Sequence, residues 1–271
     1  MNVSFSLDYL ADKFKINLLA PFGLEIKARK QRSFPTLIEG SLLKQLIKVF
    51  RVVVLREFDL VDKSALVRYA QTIGPLLEWE FGHVMEMRAH EEPKNYLFTH
   101  GHVPFHWDGA FHQEPRYLLF HCIAAPRADS GGETIFSNTN QIWRDASEKE
   151  KTTWMRHKLT YKTEKLAHYG GSITVPLVQD HLDTKEKILR FAEPVPTSML
   201  NPVEVYVEEM MRDDSDAFIA AMAQRCYQKD KCYIHAWQEN DFLIADNYAL
   251  IHARRAFEQF SPRHLRRIQV L

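Results

Sequence analysis

The stretch Val103-Pro104-Phe105-His106-Trp107-Asp108-Gly109-Ala110-Phe111 contains two potential metal ligands, His106 and Asp108, inside an apolar and aromatic run. Side chains at positions i and i+2 of a β-strand point to the same face. A strand here would therefore direct His106 and Asp108 to one point and Trp107 to the opposite face. The pattern predicts a metal-binding pair, although two side chains hydrogen-bonded at a sheet edge would give the same sequence.

The rest of the composition is typical of a globular protein with a full hydrophobic core. Of the 271 residues, 45% are hydrophobic and 26% are charged. Lys plus Arg and Asp plus Glu both number 35, so no net charge favours nucleic acid or a membrane surface as a partner. The three cysteines are odd in number and lack a C-x-x-C spacing, which argues against a disulfide framework and a zinc ribbon.

No apolar run approaches the roughly 18 residues of a membrane-spanning helix, and charged residues near Asp8 interrupt any signal peptide. We therefore expect a cytoplasmic protein that acts on a small molecule, without a nucleic-acid or membrane partner. A homo-oligomer is compatible with the sequence, which gives no oligomeric state.

The N-terminal part of the chain predicts a helix, a strand and a second helix. Apolar residues at helical spacing run from Ser41 to Phe50, and the β-branched run Val52–Leu55 follows. Asp62 is a candidate N-cap for the second helix, which Gly74-Pro75 would end.

Short β-rich runs dominate the remainder of the chain. They are Tyr96–Phe98, Arg116–Ile123, Glu133–Phe136, Leu159–Lys162, Lys187–Phe191, Cys232–Trp237, Phe242–Ala245, Ala249–His252 and Arg267–Leu271. Two helices interrupt them, one opened by the capping box Ser147-x-x-Glu150 and one by Asp213–Asp216. Many short strands between turns predict a mainly β fold with flanking helices and a double-stranded β-helix (jelly-roll) core. We expect one domain over residues 1–271.

A second candidate histidine ends the apolar run Ala249–His252. Strands that are distant in sequence lie close together in a jelly roll, so His252 can join His106 and Asp108 in a set of two histidines and one carboxylate. Such a facial set leaves other metal positions open and is typical of non-haem Fe(II) oxygenases. Taken alone, His252 could equally be a core histidine with a satisfied hydrogen bond.

Arginines near the C-terminus could bind a cosubstrate. An oxygenase needs two further electrons, usually from 2-oxoglutarate, whose far carboxylate suits a bidentate guanidinium. Arg263 and Arg267 are four residues apart and would share the inward face of a regular strand. The alternative is a basic tail of surface residues, which we expect for Arg254, Arg255 and Arg266.

In the order of these motifs, the chain resembles the taurine dioxygenase/TfdA-like branch of Fe(II)- and 2-oxoglutarate-dependent oxygenases. The resemblance covers roughly residues 40–271 and rests on His106-x-Asp108, Gly131-Gly132-Glu133-Thr134, His252, Arg263 and Arg267. It implies an enzyme with Fe(II) as its metal and with 2-oxoglutarate and O₂ as cosubstrates. It also implies that His106, Asp108 and His252 are the iron ligands.

The same resemblance implies roles for three further residues. Thr134 and Arg263 would hold the distal carboxylate of 2-oxoglutarate, and Arg267 matches the position that grips the anionic end of the substrate. Thr134 could instead be an ordinary strand residue and Arg267 a structural ion pair. Asn240 departs from the family, which usually has Gly there, but Asn tolerates a left-handed turn.

A narrower similarity involves Glu78–Gly82 and Asn95–Phe111. These segments resemble the isonitrile-forming, paerucumarin-type tyrosine isonitrile desaturase/decarboxylases. Those enzymes convert an isonitrile carboxylic acid to a vinyl isonitrile by desaturation with decarboxylation. The resemblance implies that Trp79 and Phe111, together with Phe81 and Phe105, form pocket walls for an aromatic acid. The alternative is that these aromatic residues pack the core.

Three other functions remain compatible with the residues. A taurine-type hydroxylase of a sulfonate or another small acid would share the same metal set. A cupin-like zinc hydrolase would explain the two histidines and the carboxylate, but not Thr134 and Arg263 at cosubstrate positions. A binding module with a degenerate site is the third.

Overall fold

The structure is a computed structural model that describes residues 3–29, 38–166 and 169–271. The α-helices in these ranges are α1 (Val3–Lys13), α2 (Gly40–Phe50), α3 (Lys63–Ile73), α4 (Thr139–Asp145), α5 (Glu148–Trp154) and α6 (Arg212–Cys226). None of the helices in these ranges is both long and apolar enough to cross a lipid bilayer.

The same ranges contain the strands that build the sheets. The first eight are β1 (Lys15–Leu18), β2 (Leu24–Lys27), β3 (Val52–Arg56), β4 (Met85–Arg88), β5 (Val103–His106), β6 (Tyr117–Ala124), β7 (Thr134–Asn138) and β8 (Lys158–Leu166). The others are β9 (Tyr169–Pro176), β10 (Val178–Asp180), β11 (Lys187–Leu189), β12 (Glu204–Val207), β13 (Cys232–His235), β14 (Phe242–Asp246), β15 (Leu250–Arg254) and β16 (His264–Val270).

Two sheets packed face to face form the centre of the fold. The larger sheet has the order β1-β2-β3-β14-β6-β16-β4, and the smaller has the order β13-β7-β15-β5. Aromatic side chains fill the space between them, including Phe120 on β6 and Phe136 on β7, whose rings lie 6.5 Å apart. Strand residues outnumber helical ones, and the expected mainly β fold with flanking helices and a jelly-roll core is confirmed.

Helices α2 and α3 cover the outer face of the larger sheet. Val53 and Leu55 of β3 pack against these helices, whereas Val52 and Val54 point into the space between the sheets. The Asp62 side chain accepts a hydrogen bond from the Ala65 amide at 2.7 Å and caps α3 as expected. The predicted helix–strand–helix series is confirmed, but α1, β1 and β2 had not been predicted.

Two predicted strands differ from the structure. Residues Tyr96–Phe98 form a 3₁₀ turn, because the Asn95 side chain accepts a hydrogen bond from the Leu97 amide at 2.9 Å and stabilises the turn. The last strand begins at His264 rather than Arg267, so Arg263 directly precedes it. Asn240 adopts the left-handed conformation, with φ of 66°, that its type allows.

The surface position expected for Arg254 is wrong. Arg254 is buried, and its guanidinium donates to the carbonyl oxygens of Leu97 and Gly101 at 2.8 and 2.6 Å, and to that of Thr99 at 2.7 Å. A planar group with five N–H donors can satisfy three carbonyls at once, which explains why burial is tolerated. Arg255 is exposed, as expected.

Candidate active site

His106 and His252 face each other across the pair of strands β5 and β15. They are direct partners in the strand register, and their ring centroids lie 4.2 Å apart. The Asp108 Oδ1 atom lies 3.8 Å from His106 Nε2 and 3.7 Å from His252 Nε2. The three side chains that the sequence singled out therefore form one cluster, with candidate ligand atoms within 4.8 Å of one another.

Asp108 reaches this cluster from a turn and not from the strand, which ends at His106. The expected i, i+2 strand geometry is therefore wrong for Asp108. Its backbone is held by the buried Asn247, whose Oδ1 accepts from the Asp108 amide at 3.0 Å and whose Nδ2 donates to the Asp108 carbonyl at 3.1 Å. Sequence reasoning missed Asn247, although it lies in the turn that leads to His252.

Burial favours the neutral form of both imidazoles, which is the form that binds metals. Burial lowers the pKa of His106, and burial together with the neighbouring His106 lowers the pKa of His252 to about 3. His106 Nδ1 lies 2.9 Å from the Pro104 carbonyl, which makes it the N–H donor and leaves the lone pair on Nε2. That Nε2 is buried and has no hydrogen-bond partner among the described residues. An unpaired acceptor beside a carboxylate and a second imidazole fits a divalent metal.

The Asp108 carboxylate is also held by two side chains from β16. Arg267 Nη1 lies 3.1 and 2.8 Å from its two oxygens, and Gln269 Nε2 donates to Oδ2 at 2.7 Å. Burial alone would raise the pKa of Asp108, but the nearby Arg267 and the hydrogen bond from Gln269 lower it below its usual value. Arg267 thus forms an ion pair with Asp108, and its contact with a substrate stays a prediction. Gln269, two residues further on the same strand face, was missed.

A small cavity of about 30 Å³, lined by apolar side chains and a few polar ones, adjoins the histidines on one side. Its lining includes Thr134 and Arg263, as the sequence predicted. Arg263 Nε donates to the carbonyl of Gly132 at 2.9 Å, and its Nη2 lies 3.5 Å from the Thr134 hydroxyl oxygen. At Gly131, a Cβ atom would lie 2.0 Å from the Ala256 carbonyl, so this turn requires glycine.

Arg263 is a buried cation whose charge is unmatched. No carboxylate lies within ion-pair distance of it in the described part of the chain, and burial lowers its pKa to about 9. A guanidinium in this state is stabilised by an anion that can accept two hydrogen bonds. The surroundings of Arg263 therefore fit one carboxylate of 2-oxoglutarate.

A larger aromatic cavity of about 260 Å³ opens on the other side of His106 and Asp108. The predicted wall residues Trp79, Phe81, Phe105 and Phe111 all line it, and Arg267 reaches it as well. The Trp79 indole N–H donates to Gln269 Oε1 at 3.0 Å, which fixes one wall relative to the Asp108 carboxylate. An apolar cavity with a few polar groups at one end is the usual form of a small-molecule site.

Residues 16–269 match the family model described as taurine catabolism dioxygenase TauD, TfdA family. The chain belongs to this family. The family expected from the motifs is confirmed, and the chain is a dioxygenase.

Curated relatives of this TauD/TfdA dioxygenase include enzymes named for isonitriles. It is 43% identical to the 3-((Z)-2-isocyanoethenyl)-1H-indole synthase of Fischerella ambigua, with 100% of both chains covered. It is 32% identical to the tyrosine isonitrile desaturase of Pseudomonas aeruginosa, over 92% of this chain and 87% of the relative. The narrower resemblance to such enzymes is therefore also confirmed.

Solved structures give the same picture of the family fold. PvcB of Pseudomonas aeruginosa is described as an Fe, alpha-ketoglutarate dependent oxygenase from an isonitrile synthetic pathway. It matches with a TM-score of 0.79 and 28% identity, over 95% of this chain and 92% of PvcB. A taurine dioxygenase from Burkholderia xenovorans matches with a TM-score of 0.73 and 15% identity, over 95% and 90% of the two chains, and supports the fold alone.

Proposed function

We propose that this dioxygenase uses Fe(II), 2-oxoglutarate and O₂ to convert an aromatic, amino-acid-derived isonitrile carboxylate into a vinyl isonitrile with loss of CO₂. The observation that carries the proposal is the aromatic cavity of about 260 Å³, which opens directly onto His106 and Asp108. The names of the relatives, an isocyanoethenyl-indole synthase and a tyrosine isonitrile desaturase, support the same substrate class.

In this proposal, His106, Asp108 and His252 hold the iron, and Thr134 and Arg263 hold the distal carboxylate of 2-oxoglutarate. The unpaired Nε2 of His106 and the unmatched charge of Arg263 support these assignments. Iron bound here with 2-oxoglutarate and O₂ supplies the oxidant that removes a hydrogen from a substrate C–H bond.

The chain's own contribution is to position the substrate and to exclude water. Arg267 lines both cavities and would bind the substrate carboxylate, while Trp79 and Phe111 would pack on the aromatic ring. The product lacks one hydrogen and the carboxylate. The two electrons released reduce O₂ together with the two from decarboxylation of 2-oxoglutarate, so one succinate and two CO₂ accompany each vinyl isonitrile.

We also propose that residues 1–271 act as one oxygenase domain. Strands β1 to β4 and β16, from opposite ends of the chain, belong to the same sheet. The two ends of the chain therefore contribute strands to one sheet.

The test is product analysis with isonitrile carboxylic acids derived from tryptophan and tyrosine. With Fe(II), 2-oxoglutarate and O₂, we expect the vinyl isonitrile and succinate in equal amounts. A His252→Ala variant should form neither product. A hydroxylated acid that keeps its carboxylate, or succinate release with taurine-like sulfonates only, would contradict the proposal.

A further inference from the structure

Glu193 is a carboxylate on the wall of the aromatic cavity that the assignments above do not use. It lies between this cavity and a neighbouring surface groove of about 830 Å³. Its backbone amide donates to the Phe105 carbonyl at 2.9 Å, and the Phe105 amide donates to its Oε2 atom at 2.8 Å. Glu193 is thus fixed to the edge of β5, beside the residue that precedes His106.

A second donor reinforces this position. The Tyr227 hydroxyl donates to the same Oε2 atom at 2.8 Å, and its ring packs on Phe105 with centroids 4.6 Å apart. Both hydrogen bonds to the Glu193 side chain end on Oε2. Within the described ranges, Oε1 accepts none and no cationic side chain forms an ion pair with Glu193. The carboxylate is therefore held in place with one oxygen still available.

The other carboxylate of the cavity shows the contrast. Both oxygens of Asp108 already accept hydrogen bonds, from Arg267 and Gln269. Most of the remaining lining is aromatic or aliphatic, including Val195 and Val203 close to Glu193. The apolar lining offers Glu193 Oε1 no hydrogen-bond donor, so a donor on the bound ligand would be its best partner. A hydrogen bond to a charged acceptor is about twice as strong as a neutral one.

We propose that Glu193 Oε1 accepts a hydrogen bond from a ring N–H or O–H of the substrate's aromatic group and thereby determines substrate specificity. The inference rests on the proposed function, which places an aromatic isonitrile acid in this cavity. Arg267 and Glu193 would then bind opposite features of one molecule. The cation would bind the substrate carboxylate, and the Glu193 carboxylate would bind the ring donor.

This arrangement should select against rings that have the same shape but no donor. A site that hydrogen-bonds a ligand N–H or O–H disfavours an analogue without it, because the analogue covers the half-buried Glu193 oxygen without giving it a partner. An indole and a phenol are both accepted by this chemistry. A benzothiophene, with sulfur in place of the indole N–H, and an unsubstituted phenyl ring are both disfavoured.

Glu193→Gln is the decisive variant because it changes one polar group with little change in shape. The amide oxygen can accept from the Phe105 amide and the Tyr227 hydroxyl, as Oε2 does now. The amide NH₂ then takes the place of Oε1 and offers a donor where the wild type offers an acceptor. Tyr227→Phe is the matched control, since it removes one hydrogen bond to Oε2 but leaves the carboxylate.

The experiment measures dissociation constants by calorimetry on enzyme loaded with Fe(II) and 2-oxoglutarate without O₂. Two ligand pairs are compared: the tryptophan-derived isonitrile acid with its benzothiophene analogue, and the tyrosine-derived acid with the phenylalanine-derived one. We expect the wild type to prefer the donor-bearing ring by about tenfold or more in at least one pair, which identifies the ring. In Glu193→Gln the ratio should fall to about one, and in Tyr227→Phe it should persist.

A wild-type ratio near one in both pairs overturns the inference, as does a ratio that Glu193→Gln leaves unchanged. If the acids bind and are turned over in either case, the proposed function survives while the role of Glu193 does not. If no aromatic isonitrile acid binds, the proposed function fails and the inference fails with it. The wild-type comparison needs no variant, so it tests the inference even if Glu193→Gln does not fold.

Discussion

Asp108, the candidate ligand that lies outside a strand, depends on a buried network around it. Asn247 holds its backbone, and the fully buried Arg190 donates to the Asn247 carbonyl at 2.8 Å. Arg190 also donates to Glu114 Oε2 at 3.0 Å, and the Trp107 indole N–H donates to Glu114 Oε1 at 2.9 Å. The backbone of Asp108 and the preceding Trp107 are therefore held by residues that are not among the candidate metal ligands. Such outer partners commonly set how well a ligand is oriented.

We predict that Asn247→Ala weakens iron binding. The change leaves the Asp108 amide and carbonyl without partners, so we expect a loss of about 2–4 kcal/mol in unfolding free energy and of roughly 10–100-fold in iron affinity. Chemical denaturation and anaerobic Fe(II) titration measure the two effects. Asn140→Ala is the control, because Asn140 is equally buried but donates to the Lys187 carbonyl away from the cluster. Equal iron affinities in the two variants would refute the role of Asn247.

A second residue-scale prediction concerns pH. His121 is fully buried and stacks on Phe242 with centroids 4.2 Å apart. Burial, with a smaller effect of Arg266, lowers its pKa from 6.5 to about 4. Below pH 6.5 the unfolded chain therefore takes up a proton that the folded protein does not. Stability falls as the pH decreases towards the folded-state pKa.

His121→Phe keeps a planar ring on Phe242 but cannot titrate. Between pH 7.5 and 5, the wild type should lose about 2 kcal/mol more unfolding free energy than the variant. Denaturant titrations at the two pH values measure this difference. Parallel losses in both proteins would show that His121 is not the group responsible.

At the scale of elements, β5 is positioned by contacts with the segment that precedes it. Arg254, on the neighbouring β15, satisfies three carbonyls of residues 97–101. These contacts connect the 3₁₀ turn at Tyr96–Phe98 to the strand that carries His106. Burial lowers the pKa of Arg254 to about 10, and it is still protonated at neutral pH.

We predict that Arg254→Lys loosens this segment even though the positive charge is retained. A single ammonium cannot reach all three carbonyls, and each one left unpaired costs about 1–3 kcal/mol. Limited proteolysis should cut the variant faster within residues 97–102, and its denaturation midpoint should fall. Arg255→Lys is the matched control at the adjacent exposed residue, with an expected effect within about 0.5 kcal/mol. Protection of the segment in Arg254→Lys would contradict this interpretation.

Elements with a clear periodic pattern could be predicted from the sequence. The apolar spacing of α2, the β-branched run of β3 and the Asp62 cap of α3 are local signals, and the structure agrees with each. The prediction of a strand at Tyr96–Phe98 rests on the aromatic composition of this segment. It takes no account of Asn95, whose side chain caps the turn. The N-terminal strands carry weaker local signals and gain their structure by pairing, β2 with β3 and β1 with β2.

At the scale of the whole molecule, the two sheets bring together residues that are far apart in sequence. The pairing of β5 with β15 aligns His106 and His252, and β7 and β16 place Thr134 and Arg267 beside them. The resemblance to the family predicted that these residues lie together, whereas their roles towards iron, cosubstrate and substrate stay predictions. The contacts of Asn247, Gln269 and Glu193 could not be predicted, because each depends on a tertiary hydrogen bond to a residue at least 88 positions away.

The most direct test of the metal site is the visible charge-transfer band that forms when 2-oxoglutarate binds iron held by two histidines and a carboxylate. Wild-type protein should develop this band on anaerobic addition of Fe(II) and 2-oxoglutarate. Arg263→Met should require a higher concentration of 2-oxoglutarate, since it lacks the cation for the distal carboxylate. His252→Ala should show no band. A band of wild-type intensity in His252→Ala would contradict the assignment of the iron ligands.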